Sequence, residues 1–145
     1  MTMTNPEVPS PEEVAQHGRY GLLSSAEFNQ HVSALPVGEQ GFFWLRSPLK
    51  ILAAGVAEEA YPEFQLDARL NHSLLSRVRE LYRLQTLSEN FVWDFLRTRH
   101  KLLGGKTGVD FLLGCFSVEI IAMPPRERED HFLDLIYEEI GRLSQ

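Results

Sequence analysis

From Leu70 onward the apolar side chains recur every three or four positions, and the rhythm breaks most sharply at two dipeptides, Gly104-Gly105 and Pro124-Pro125. A helical period sustained over half a chain calls for helices packed on helices. Leu74, Leu75, Val78, Leu81, Tyr82 and Leu84 form one stripe, with Arg77, Arg79, Glu80 and Arg83 on the opposite side. Ser88 can cap the next helix, ENFVWDFLRTR, which would turn Phe91, Val92, Phe95 and Leu96 inward. Thr107, three residues before Asp110, has the form of a capping box and would start a helix through VDFLLGCF. VEIIAM has no clear period and is ended by the two prolines. Pro125 suits the first turn of a last helix, in which Phe132, Leu133, Ile136, Ile140 and Leu143 repeat. That stripe has two uses open to it: covering the chain's own core, or pairing with a second copy.

The first half is less regular. Ser24 and Glu27 form a capping box ahead of Phe28, Val32 and Leu35, and Pro36 and Gly38 end that helix. Phe42, Phe43, Trp44 and Leu45 make an apolar knot, read as a short second helix ending at Pro48. Leu49 and Ile51, then Gly55, then Tyr61, Phe64 and Leu66 predict a β-hairpin. Pro62 lacks an amide proton, so its strand must lie at an edge or end there. Residues 1–21, rich in Pro, Glu, Gly and Thr, predict a flexible arm. The expected fold is mainly α: a small helical bundle with one short, wing-like β-hairpin after the first two helices. Its expected divisions are the arm at 1–21, a helix-turn-helix-like region with the hairpin at 22–68, a helical domain at 69–123, and the amphipathic helix at 124–145.

The formal charge is −6 and the pI about 5.3. A protein that holds DNA without sequence preference carries the opposite sign, so any nucleic-acid contact has to come from a local patch. The one cysteine, Cys115, lies in the apolar run FLLGCFSV and is expected to be a small buried residue. The first sixteen residues hold prolines and glutamates and no apolar stretch, and no run approaches the ~20 apolar residues that span a bilayer. The expectation is a soluble, cytoplasmic protein without membrane contact.

RTRHKLLGGKTG, residues 97–108, carries the densest positive charge of this acidic chain. A Walker phosphate loop needs a glycine, four intervening residues, then Gly-Lys-Ser/Thr, with a buried strand ahead of it. His100 stands where the glycine should be, and the preceding segment reads as helix. The five histidines are scattered, with no pair at i, i+3 or i, i+4, and no G-x-S-x-G elbow is present. Paired carboxylates such as Glu138-Glu139 fall on expected solvated faces. No residue set calls for an enzyme, a metal or a cofactor. Arg97, Arg99, Lys101 and Lys106 are then either contacts for a partner or cations placed favourably near a helix C-terminus. Gly104 and Gly105 would turn the chain between two helices, Leu102 and Leu103 would plug the bend into the core, and Thr107 would cap the next helix.

LYRLQTLSENFVWDFLRTRHKLLGGKTGVDFLLG resembles the toxin-binding domain of Xre/MbcA/ParS-type antitoxins. Phe95-Leu96, Thr98, Leu103-Gly104-Gly105, Thr107 and Leu112-Leu113 carry the likeness; Gly108 stands where the family pattern has proline. YPEFQLD is similar to a Tyr-Pro-x-Phe-Gln element that follows a helix-turn-helix and hairpin in related bacterial proteins. The likeness spans roughly residues 22 to 114. It implies a non-enzymatic regulator, usually dimeric, whose partners are a cognate toxin, often of the NAD-consuming RES type, and operator DNA. On that basis Arg46 and Lys50 are the candidate DNA contacts. Arg97, Arg99, Lys101 and Lys106 are the candidate partner contacts, and Leu103, Gly104, Gly105 and Thr107 the structural loop. Two alternatives compete: an interaction module on the same scaffold that no longer reads DNA, and an enzyme acting on a small phosphorylated ligand at Gly104 to Thr107.

Overall fold

The computed structural model describes residues 19–38, 47–52 and 58–144. The aromatic knot, Arg46, Gly55 and residues 1–18 of the expected arm lie outside these. The fold is mainly α, with a small three-stranded antiparallel sheet and a separate two-stranded hairpin.

Strand β1, Leu22–Leu23, leads into helix α1, Ser25–Ser33. The Ser24–Glu27 capping box is present in full: Ser24 Oγ accepts from the Glu27 amide and Glu27 accepts from the Ser24 amide, both at 3.1 Å. Strand β2, Ile51–Leu52, pairs antiparallel with β3, Glu59–Pro62, with Ile51 opposite Ala60. This is the expected hairpin. The sequence reading missed its third member, because two residues are too few to show alternation: β1 pairs on the other side of β3, with Leu22 opposite Pro62. Pro62 therefore ends a central strand. The chain continues there into a 3-10 turn, Glu63–Leu66.

Two side-chain amides extend the sheet by imitating backbone. Buried Gln65 accepts from the Leu49 amide at 2.6 Å and donates to the carbonyls of Leu49 at 2.9 Å and Pro62 at 3.0 Å. Asn90 does the same for Leu52, accepting from its amide and donating to its carbonyl, both at 3.0 Å. The segment 49–52 has no strand neighbour on that side among the described residues, and each buried backbone group needs a partner.

Helix α2, His72–Leu84, and helix α3, Glu89–Arg97, form the centre of the bundle. After the loop come α4, Gly108–Leu112, α5, Val118–Ile121, and the long α6, Pro125–Leu143, with proline in its first turn as expected. α6 buries Phe132, Leu133, Leu135, Ile136 and Ile140 in the chain's own core. Each such side chain contributes about 1.5–3 kcal/mol, so the stripe serves this chain rather than waiting for a second. Phe132 is the hub: its ring stacks on Phe111 at 4.2 Å and meets Phe95 edge-on at 5.8 Å. A smaller apolar cluster of Leu23, Phe28 and Val32, with Leu35, Tyr61 and Leu66 against it, fastens α1 to the sheet. Phe28 stacks on Tyr61 at 4.7 Å.

Several inward assignments need correction. Leu84 is exposed at the end of α2, and on α3 it is Trp93 that is buried while Phe91 faces solvent. α4 does not run on through Phe116: it stops at Leu112, and Gly114 follows with φ +80°. Cys115 is only half-buried.

Candidate partner-binding site

The loop that joins α3 to α4 is a miniature hairpin rather than the expected bend between two helices. Strand β4, Arg99–His100, pairs antiparallel with β5, Lys106–Thr107, and a 3-10 turn, Lys101–Leu103, lies between them. Gly104 and Gly105 close the hairpin with φ of +69° and +82°, a region that side chains with a Cβ rarely enter. A Cβ on Gly104 would also lie 2.4 Å from the Cβ of Ser117, so the glycine lets the hairpin tip touch the start of α5. Leu103 plugs the core as expected, but Leu102 does not: it is 52% exposed.

Thr107 forms the expected capping box. Its hydroxyl accepts from the Asp110 amide at 3.0 Å, and Asp110 Oδ2 accepts from the Thr107 amide at 3.1 Å. Thr107 is wholly buried and Asp110 is 5% exposed. A buried carboxylate needs a cation or several donors, and the cation comes from the end of the expected arm. Arg19 Nη1 lies 2.6 Å from Asp110 Oδ1, and Arg19 Nη2 lies 3.4 Å from the sulfur of Cys115. Tyr20, the next residue, hydrogen-bonds through its hydroxyl to Thr107 Oγ1 at 2.8 Å. Burial pushes the Tyr20 hydroxyl above its ordinary pKa. Residues 19–21 are thus docked. No sequence period pointed to this, because the partners lie about 90 positions downstream.

Gly108 leaves no room for a side chain. A Cβ there would sit 2.9 Å from Leu96 Cδ2 and 3.0 Å from Leu96 Cα, so α4 rests its first residue directly on α3.

The four candidate cations do not converge. Arg97 is exposed and pairs with Asp94 at 3.3 Å, in the last turn of α3. Arg99 faces Thr107 across the hairpin and His100 faces Lys106. Strand alternation then places Arg99 and Lys106 on opposite sides. Lys101 is exposed at the tip beside Leu102. His100 stacks on Phe95 at 4.3 Å, and its Nε2 lies 2.8 Å from the Phe95 carbonyl.

A phosphate loop is excluded by this arrangement. Lys106-Thr107 sits in an antiparallel hairpin after a helix, and the Thr107 hydroxyl already serves Asp110 and Tyr20. Among the described residues no group of three or more His, Cys, Asp or Glu side chains could hold a metal ion, and no helix is long and apolar enough to cross a membrane. Of the DNA candidates, Lys50 pairs with Glu59 at 3.3 Å across the β2–β3 strands, and Arg46 is outside the described residues.

Exposed apolar side chains stand on two segments that meet where Gly104 approaches Ser117. Leu102 is at the hairpin tip; Val118 and Ile121, at 81% and 59% exposure, are on α5. Both segments are pinned from behind. His131 Nε2 lies 2.7 Å from the Leu102 carbonyl, and Arg128 donates to the carbonyls of Met123 at 2.9 Å and Ile121 at 3.3 Å. No family model, no curated protein and no solved structure matches this chain.

Proposed function

We propose that this chain is a non-enzymatic regulator of the antitoxin type, which holds a protein partner on the face made by the 99–107 hairpin and α5. One observation carries the reading. Three exposed apolar side chains, Leu102, Val118 and Ile121, stand on two short segments whose backbones are fixed by Gly104, His131 and Arg128. A fixed backbone under exposed apolar groups is what a protein interface needs, since little is left to order on binding. Exposed Lys101 borders the hairpin tip, whereas Arg97 is already paired with Asp94, so the fitting partner carries an apolar anchor with a carboxylate placed to meet Lys101. In the antitoxin reading that partner is a toxin, of the RES type in the family that the loop sequence resembles.

The Lys50–Glu59 pair favours a second form of the same reading, a partner-binding module that does not hold operator DNA, because one of its two candidate contacts is already neutralised. One experiment tests both forms and a second separates them. Co-expression with the protein encoded beside it is expected to yield a stoichiometric complex, lost on Leu102→Asp. A gel shift of neighbouring promoter DNA at low salt, where counterion release helps binding most, decides between regulator and module. Absence of any complex contradicts both.

A further inference from the structure

We infer that Arg19 and Tyr20 form a strap that couples the N-terminal helical unit to the partner-binding hairpin. The two residues are consecutive, and each grips one member of the same capping box. Arg19 neutralises Asp110 at 2.6 Å, and Tyr20 bonds Thr107 at 2.8 Å. Those contacts hold one end of the strap on β5 and α4. The other end is held by the sheet: the Gly21 carbonyl accepts from the Glu63 amide at 2.9 Å, and Leu22 and Leu23 pair with Pro62 and Tyr61. Leu23 then enters the small apolar cluster that carries α1, which is separate from the main core. Five residues, 19–23, therefore connect the seat of α1 to the first turn of α4.

The strap is also built to be released more easily than the bundle. Among the described residues Arg19 Nε is buried and finds no hydrogen-bond partner, so the strap holds its two strong contacts with one donor orphaned. Over Arg19 to Leu22 it adds little apolar burial: Tyr20 is only partly buried and Leu22 is exposed, and Leu23 alone is buried, in the small cluster. Segments of this kind open locally at lower free energy than the helices they rest on. When the strap lifts, Asp110 loses its cation and Thr107 its second partner, and the capping box that sets the hairpin loosens. A strap seated by events at the N-terminal unit thus sharpens the hairpin, and a partner seated on the hairpin steadies the strap. The coupling must run equally in both directions. Its use in gating a partner rests on the reading above; the coupling itself does not.

Amide hydrogen exchange on the full chain, without any partner, tests the coupling. The informative amides are those of Gly105, Thr107, Asp110 and Cys115 at the hairpin end and of Glu63 at the sheet end, all of which donate to identified acceptors. Arg19→Met is expected to speed exchange at both ends by roughly tenfold, while Val78 and Tyr82 in α2 keep their rates. If that variant does not fold, Tyr20→Phe, which removes one hydroxyl, carries the same test with a smaller rise. Thr107→Val must in turn speed exchange at Glu63. Unchanged rates at one end, or an equal rise in α2, overturn the strap. Because no partner is present, a failure here is distinct from a failure to find a complex.

Discussion

Gln65 holds Leu49 by both of its backbone groups, accepting from the amide and donating to the carbonyl with one side-chain amide. The Gln of the YPEFQ element is therefore a substitute strand neighbour. Leu49 is fully buried, so no water is at hand to replace it.

Gln65→Met keeps the volume and removes the amide. It strands the buried Leu49 amide and carbonyl, each costing ~1–3 kcal/mol. The expected loss is about 3 kcal/mol, read from urea unfolding as a lower midpoint with an unchanged slope. A loss under about 1 kcal/mol would mean that the segment 47–52 finds other partners.

The paired glycines should not respond alike. Both have positive φ, which costs an alanine ~1–2 kcal/mol. Gly105 faces open space, whereas a Cβ on Gly104 runs into the Cβ of Ser117, which cannot swing aside. Gly105→Ala is expected to cost about 1 kcal/mol. Gly104→Ala adds a steric cost to that and exceeds it by about 1–3 kcal/mol. Equal losses in thermal melts would contradict the contact between the hairpin tip and α5.

Tyr82 carries a wholly buried hydroxyl that finds no hydrogen-bond partner among the described residues. Burial, and after it the charges of Glu139 and Asp94, push that hydroxyl far above the ordinary tyrosine range. The folded chain then holds the proton more tightly than the unfolded chain. Its contribution to stability is intact below about pH 10 and is lost as the pH rises from there toward the folded value. Tyr82→Phe is expected to remove this alkaline loss. At neutral pH it should raise stability by about 1 kcal/mol, because an orphaned polar group leaves the core. A lower melting temperature for the variant at pH 7 would show that the hydroxyl is partnered after all.

How much of this was legible depends on the range of each interaction. Both capping boxes, Ser24–Glu27 and Thr107–Asp110, could be read three residues at a time, because a cap is a local bond. The stripe of α6 was legible for the same reason as far as Ile140; Leu143, expected with it, is exposed, and Leu135 joins the buried face. The strap was not: Arg19 and Tyr20 find Asp110 and Thr107 about 90 positions on, and nothing in their neighbours announces it. Leu102 and Leu103 look equivalent in the chain, yet the 3-10 turn sends one out and the other in. Phe91 is expected inward and Trp93 is left unplaced, because α3 buries a broad face, Val92, Trp93, Phe95 and Leu96, whose edges the period alone does not set. The exposed Leu102, Val118 and Ile121 became a candidate face only when the positive φ of Gly104 laid the hairpin tip against α5.

Isothermal titration of the neighbour-encoded protein into the wild-type chain and into Leu102→Asp and Ile121→Asp tests the central claim most directly. Side chains that anchor an interface are worth ~2 kcal/mol or more, about a 30-fold change in Kd. The account predicts saturable binding to the wild type and at least that loss in each variant, with melting temperatures unchanged because both side chains are exposed. Equal affinity for all three proteins would contradict it.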